Sequence, residues 1–154
     1  MTYYDDIATG YNELHKEEQL KKLSVAMQKF LNEDDYILDV GCGTGFCLDY
    51  FTRAVGIDPS KKLLEQYKGK HKVVLGVAED LPFTDKEFDA VLSLTAAQNF
   101  SDMAKAISEM KRVSNTCVVS ILKTSKKVAE LEKELGTYTK LEQEKDFMYL
   151  WEDP

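Results

Sequence analysis

The sequence has few of the residues that several common classes of protein depend on. It holds only three cysteines and two histidines in 154 residues, with no CxxC pair, so we expect neither a disulfide framework nor a metal site. No apolar run approaches the roughly 18 residues that span a bilayer. The start, MTYYDDIATGYNE, lacks the basic and apolar stretches of a secretory signal. These features predict a cytoplasmic protein with no membrane segment.

Basic residues are also in the minority. The formal net charge is −7, which disfavours a large nonspecific surface for nucleic acid, because phosphate binding needs clustered Lys and Arg. The segment 103–127 is an exception, with six Lys or Arg against the single acid Glu109. Solvated helix surfaces are the interpretation we favour for this run, and a basic face for RNA or a phosphorylated substrate is the alternative.

Apolar runs alternate with amphipathic segments along the chain. Leu20, Leu23, Met27 and Phe30 recur at helical spacing and predict a helix over 15–31. The apolar runs DDYILDV, AVGID, HKVVLGVA, FDAVLSLTA and TCVVSILK predict five strands. Four segments predict helices between and after them: CLDYFTR, SKKLLEQYKGK with Ser60 as N-cap, SDMAKAISEMKRV with Ser101 as N-cap, and SKKVAELEKELG ending at Gly136.

This alternation predicts an α/β fold. The first five strands lack polar alternation, as expected of parallel strands that are covered on both faces. YTKLEQ and DFMYLWE predict a C-terminal antiparallel hairpin, and the second of them, apolar on both faces, fits the inside of a sheet. We therefore expect one domain over 1–154 with a Rossmann-like, doubly wound, mostly parallel seven-stranded sheet and helices on both faces.

Three glycines follow the first predicted strand in ILDVGCGTG. Gly41, Gly43 and Gly45 can admit a ligand close to bare backbone, although a tight turn alone would also explain them. Phe46 stands where the dinucleotide pattern G-x-G-x-x-G needs its third glycine, so a dinucleotide cofactor is disfavoured. Asp39 precedes the glycines, and its carboxylate would repel a pyrophosphate but suit an ammonium or sulfonium group.

A second acidic residue ends the next predicted strand. Asp58, in VGIDPS, has the position from which a carboxylate accepts hydrogen bonds from ribose hydroxyls. A turn residue before Pro59 is the alternative interpretation.

The segments LDVGCGTG, VGIDPS and GVAEDLPFTDKEFDAVLSL resemble, in this order, the motifs of class I S-adenosylmethionine-dependent methyltransferases, close to the small type 11 kind. YYDDIATGYNELH resembles a segment that many members fold over the cofactor, so residues 1–31 would form a lid and helix and residues 32–154 the core. The resemblance covers almost the whole chain. It implies S-adenosylmethionine as cofactor and methyl transfer to a small molecule, or to RNA with a partner chain. The alternative is a noncatalytic cofactor-binding subunit that supports a partner protein.

The resemblance also implies roles for individual residues. Asp39 would hold the amino group of the methionine part, Asp58 the ribose, and the Ala78 N–H the adenine. Val77 stands where the family often has an Asp that contacts the adenine amino group, so Glu79 or Asp80 replaces this contact or it is missing. The implied cofactor-binding positions are Asp39, Gly41, Gly43, Gly45, Asp58, Pro59, Ala78, Glu79, Tyr4 and Tyr11, with Ser60 as an alternative to Pro59 near the adenine.

The catalytic residue is not evident from the sequence. The N/D-P-P-Y/F motif of exocyclic-amine and glutamine methyltransferases is absent after the fourth strand, where the chain reads LTAAQNF. Gln98 and Asn99 are candidates for orienting a substrate, with solvent-facing amides as the alternative. His15 is a candidate general base, with a surface histidine as the alternative.

Overall fold

A computed structural model describes residues 13–154 in full and, of residues 2–12, the helical backbone. The helices are α1 (Thr2–Lys29), α2 (Lys61–Leu64), α3 (Met103–Val113) and α4 (Val128–Leu135). The strands are β1 (Tyr36–Val40), β2 (Arg53–Asp58), β3 (Lys72–Leu75), β4 (Ala90–Ser93), β5 (Thr116–Leu122), β6 (Thr139–Glu142) and β7 (Asp146–Glu152). Short 3₁₀ turns cover Leu48–Tyr50 and Ala97–Asn99.

All seven strands form one sheet in the order β3-β2-β1-β4-β5-β7-β6. The first five are parallel, and β7 runs antiparallel between β5 and β6. This confirms the predicted α/β fold with its C-terminal hairpin. The strand order reverses between β1 and β4, so their carboxyl ends border the crevice in which open α/β sheets bind ligands.

Alternate residues of the central strands face two separate cores. Ile37 packs with Leu23 and Ala26 of α1 on one face. Leu38 packs on the other face with Ile107 of α3 and the residues around it. Helices therefore cover both faces, as predicted, and parallel strands buried on both sides explain the continuous apolar runs.

The helix α1 begins earlier than the sequence predicts, at Thr2 rather than His15. Residues 13–17 are exposed, and burial begins at Gln19. Tyr4 and Tyr11 lie outside the residues whose side chains are described, so their assignment to a lid stays a prediction, as does the division into residues 1–31 and 32–154. None of the helices in the described part of the chain is long and apolar enough to cross a membrane.

Several predicted element boundaries are wrong. CLDYFTR forms only the 3₁₀ turn Leu48–Tyr50, because Arg53 already belongs to β2. The helix after β2 is a single turn, although its predicted N-cap is confirmed: Ser60 Oγ accepts from the Leu63 N–H at 3.3 Å. Asp102, not Ser101, caps α3.

The ends of two strands also differ from prediction. β3 stops at Leu75 and β4 at Ser93, whereas the apolar runs continue to Ala78 and Ala96. The last residues of both runs thus lie in loops at the crevice rather than in the sheet. Gly136 ends α4 as predicted, in a left-handed conformation with φ of +80°.

Candidate functional site

The glycine loop leaves β1 at the carboxyl edge of the sheet. Gly41 and Gly45 have φ of +79° and +80°, and a Cβ on either would lie 2.6 Å from Ala96 or Tyr67. Packing within the protein therefore requires both glycines. At Gly43, with φ of +57°, a Cβ would meet only Leu63 at 3.9 Å, so this residue borders open space where a ligand can approach the backbone.

Asp58 fixes this loop from the end of β2. Its Oδ2 accepts from the Gly43 N–H at 2.9 Å and its Oδ1 from the Ser60 N–H at 2.8 Å. Asp58 is 8% exposed, yet each carboxylate oxygen keeps a second lone pair. The carboxylate can therefore hold the loop and still accept hydrogen bonds from hydroxyl groups of a ligand.

Asp39 is a buried acid on the neighbouring strand. Burial raises the pKa of its carboxyl from 3.8 to about 7, and the charge of Asp58 adds to the effect. No Lys or Arg among residues 13–154 forms an ion pair with it. A positively charged ligand group would offset the burial of this carboxylate.

Two neighbouring cavities lie over the carboxyl ends of β1, β2 and β4. The first has a volume of about 770 Å³ and contains Asp58, and the second, of about 660 Å³, contains Asp39. Six residues line both cavities and form what we call the shared wall: His15, Gln19, Gly41, Gly43, Leu63 and Leu94.

Most of the predicted site residues meet in these cavities. The first cavity also contains Pro59, Val77, Ala78, Glu79, Gln98 and Asn99. Gly45 lines neither cavity, and its contact with Tyr67 explains its presence without a ligand.

Glu79 has a structural partner that the sequence does not indicate. Its Oε2 accepts from the Ser101 N–H at 2.7 Å, the Ser101 hydroxyl at 3.0 Å and the Asp102 N–H at 3.1 Å. Burial alone would raise the pKa of this carboxyl, but the hydrogen bonds from Asp102 and Ser101 outweigh it and lower the pKa. Glu79 thus anchors the start of α3, while the exposed Val77 beside it adds apolar surface to the cavity.

A partly buried polar cluster joins α1 to the loop after β4 and to the start of β7. We call it the Lys22 cluster; it consists of Gln19, Lys22, Thr95 and Asp146. Lys22 Nζ lies 2.6 Å from Thr95 Oγ1, 3.0 Å from Gln19 Oε1 and 3.0 Å from Asp146 Oδ1. Thr95 Oγ1 donates to Asp146 Oδ2 at 2.7 Å, and Gln19 Nε2 donates to the Leu94 carbonyl at 3.1 Å.

The Lys22 cluster has no signature in the sequence. In the sequence, Lys22 is one of many charged residues on an amphipathic helix, and Asp146 is the polar first residue of a predicted strand. They are 124 residues apart, and only the placement of β7 inside the sheet brings them together.

Thr95 holds an unusual backbone conformation next to this cluster. Its φ of +53° is strained for a β-branched residue. Its N–H donates to Ser120 Oγ at 2.8 Å, and its carbonyl accepts from Gln98 Nε2 at 2.7 Å. Gln98 Oε1 is buried without a hydrogen-bond partner within the described residues, so this amide keeps an unused acceptor at the edge of the cavity.

The basic segment 103–127 does not present a continuous charged face. Four of its six cations are held by contacts within the chain. Arg112 pairs with Glu109, Lys123 pairs with Glu142, Lys111 donates to the Glu134 and Leu135 carbonyls, and Lys127 donates to the Phe100 carbonyl.

Comparison with known proteins shows the family of the chain. The doubly wound sheet with a glycine loop and two acids at adjacent strand ends defines the class I S-adenosylmethionine-dependent methyltransferases. Residues 38–116 match the family described as "Methyltransferase domain", and the chain belongs to this family. Its cofactor is S-adenosylmethionine, and the residues of the two cavities fit such a ligand. Asp39 is a buried acid with no Lys or Arg partner among residues 13–154, which suits an ammonium group, and Asp58 can accept hydrogen bonds from hydroxyls.

Two relatives illustrate the extent of the similarity. An uncharacterized protein of Methanocaldococcus jannaschii, MJ1252, is 37% identical over an alignment of 114 residues that covers 72% of this chain and 45% of the relative. A demethylmenaquinone methyltransferase of Symbiobacterium thermophilum is 33% identical over 132 residues, covering 71% of this chain and 52% of the relative. The chain thus spans about half the length of these curated relatives.

Two solved structures share the fold. The YcgJ protein of Bacillus subtilis has a TM-score of 0.68 at 20% identity, covering 78% of this chain and 70% of that one. A protein described as a methyltransferase, solved in complex with the Haloferax volcanii Trm112 methyltransferase activator, has a TM-score of 0.66 at 22% identity, covering 74% of this chain and 57% of that one.

Proposed function

We propose that this chain binds S-adenosylmethionine across the two cavities and transfers its methyl group to a small molecule. The observation that carries the proposal is the pair of acids on adjacent strands, one in each cavity. Asp39 is buried without a cationic partner in the described part of the chain, and Asp58 keeps acceptor capacity beside Gly43. When bound, the cofactor supplies an activated methyl group whose bond to sulfur breaks with the electron pair left on sulfur.

The chain's residues divide between the two ends of such a ligand. Asp39, in the second cavity, receives the ammonium group, and Asp58, in the first, receives the ribose hydroxyls. Ala78 and Pro59 border the adenine. Glu79 is occupied at the start of α3, so adenine recognition relies on the apolar surface of Val77 and on backbone groups.

An acceptor molecule enters the first cavity on the side lined by Thr95, Gln98 and Asn99. Lys22 lines the same cavity. Their amides and hydroxyl orient a polar small molecule, and the surrounding helix α1 excludes water from the methyl group. The internal pairing of most cations in segment 103–127 offers no support for an RNA acceptor.

Calorimetric titration with S-adenosylmethionine, S-adenosylhomocysteine and NADH tests the proposal. We expect micromolar binding of the first two ligands and none of NADH. Asp58→Asn should weaken binding about tenfold or more, because one acceptor for the ribose or for the Gly43 N–H is lost. Glu142→Gln, at an exposed surface pair with Lys123, is the matched control and should bind like the wild type.

A different result would change the function assigned. Absence of binding to the isolated chain would contradict the proposal and indicate a chain that needs a partner protein in order to bind the cofactor. Binding of the cofactor without methyl transfer to any small molecule would favour the alternative, a noncatalytic cofactor-binding subunit that supports a partner protein. The structure related to a Trm112 complex is the observation behind this alternative.

A further inference from the structure

The shared wall locates the point where a ligand passes from one cavity to the other. Asp58 lines only the first cavity and Asp39 only the second. A molecule held by both acids must therefore extend past the residues of the shared wall. His15 and Gln19 of α1 contribute to this wall from one side, together with Gly41, Gly43 and Leu94. If the proposed function holds, the sulfur lies in this crossing part, because it joins the adenosine to the amino-acid end.

α1 presents one face to this crossing point. His15, Gln19 and Lys22 are spaced by four and three residues, which places them on one side of a helix. Gln19 and Lys22 are fixed to β4 and β7 through the Leu94 carbonyl, Thr95 and Asp146. His15 lies one turn further toward the N-terminus and lines both cavities.

Several charged side chains around the first cavity have structural roles. Lys145 pairs with Glu18 at 2.8 Å, and Lys22 pairs with Asp146. The two remaining acids, Asp58 and Glu79, accept backbone N–H groups. Of the two histidines, His15 lines both cavities and His71 lines neither, and an imidazole nitrogen can accept a proton from a reacting group.

We propose that His15 is the general base of this site and that the Lys22 cluster is the device that positions it. This proposal rests on the proposed function and assigns the acceptor to molecules with a hydroxyl group. The hydroxyl oxygen forms its new bond to the methyl carbon with a lone pair. Its proton passes to an imidazole nitrogen of His15, which becomes an imidazolium, so charge and atoms balance without an oxidant or reductant.

Nuclear magnetic resonance of the imidazole protons tests this without a known acceptor. The chain has two histidines, so each signal is assigned with His15→Gln. The probes are S-adenosylhomocysteine and sinefungin, an analogue that carries an amino group in place of the methyl-bearing sulfonium. The charged groups that line the two cavities with His15 are the same in both complexes. They are Glu13, Lys16, Glu18 and Lys22 on α1, Lys145 in the β6–β7 turn, and Asp39, Asp49, Asp58, Lys68 and Glu79 across the cavities.

We expect the pH midpoint of the His15 signal to lie about one pH unit lower with sinefungin than with S-adenosylhomocysteine, because an ammonium group nearby disfavours the imidazolium. His71 lines neither cavity and is the internal control. Equal His15 midpoints in the two complexes would overturn the assignment. If neither probe binds, the proposed function fails, and this inference fails with it.

A second comparison tests the positioning role. Asp146→Asn removes the ion pair with Lys22 and should reduce the difference between the two midpoints to less than half. Glu142→Gln, in the neighbouring strand of the same hairpin, should leave it unchanged. If folded Asp146→Asn protein shows the same difference between the two His15 midpoints as the wild type, the Lys22 cluster does not position His15.

Discussion

Replacing Asp39 by asparagine should make the folded protein more stable while it abolishes tight cofactor binding. Asp39 is 5% exposed, and burial raises the pKa of its carboxyl to about 7 from 3.8. An acid with a raised pKa binds protons more readily in the folded state. Its contribution to stability therefore falls as pH rises from about 4 to about 7 and is constant at its lowest value above that range.

The size of the effect follows from the two pKa values. They differ by about three, and each pKa unit corresponds to about 1.4 kcal/mol, so the ionised Asp39 costs up to about 4 kcal/mol at pH 8. At pH 5 most of this cost is absent, because the folded protein keeps the proton. Asparagine carries no charge at either pH, so the stability gain of Asp39→Asn should be about 2–3 kcal/mol larger at pH 8 than at pH 5.

Urea unfolding of the wild type and of Asp39→Asn at the two pH values measures this difference. Asp34→Asn, at an exposed carboxylate two positions before β1, is the matched control and should give the same small change at both. Calorimetry should show that Asp39→Asn loses S-adenosylhomocysteine binding. A stability change independent of pH, or a less stable variant at pH 8, would refute the electrostatic reasoning.

Further expectations concern ligand affinity, the glycine loop and the thiols. In calorimetry, S-adenosylhomocysteine should bind about tenfold more weakly at pH 6 than at pH 8, since Asp39 must lose its proton to receive the ammonium group. Adenosine has no ammonium group, so its affinity should not change between the two pH values. Gly45→Ala should lower the free energy of unfolding by more than Gly136→Ala, measured in urea. Both glycines have φ of +80°, but only at Gly45 would the Cβ clash, with Tyr67 at 2.6 Å; equal losses would refute this. Burial raises the pKa of all three cysteine thiols, so a thiol reagent should label the protein only after denaturant is added, and rapid labelling of the native state would contradict the burial.

Strong local patterns made the fold predictable. Five apolar runs without alternation indicated parallel strands covered on both faces, and DFMYLWE indicated a strand inside the sheet. The acids at 39 and 58 lie at the carboxyl ends of β1 and β2, and the glycines at 41, 43 and 45 follow β1. Parallel strands bring such ends together. The sequence alone therefore indicated both the sheet and the residues that border its crevice.

The errors lie where local signals were weak or ambiguous. CLDYFTR has helical composition, but the early start of β2 leaves room for one 3₁₀ turn. The sequence predicts Ser101 as the cap of α3, but the adjacent Asp102, a residue of similar capping propensity, takes that position, and Glu79, 22 residues away, accepts the Ser101 N–H. Competition between neighbours of similar propensity is decided by such distant contacts.

The sequence by itself determined the class of fold, the cofactor that its family uses and the strand ends that meet. Only the tertiary structure decided which charged side chains form ion pairs and which buried acid is available to bind a ligand. Lys22 and Asp146 are far apart in the chain and become partners because β7 inserts beside β5, whereas Asp39 is buried with no such partner within the described residues. The free energy of a buried charge depends on everything that surrounds it in space, and spacing along the chain carries little of that information.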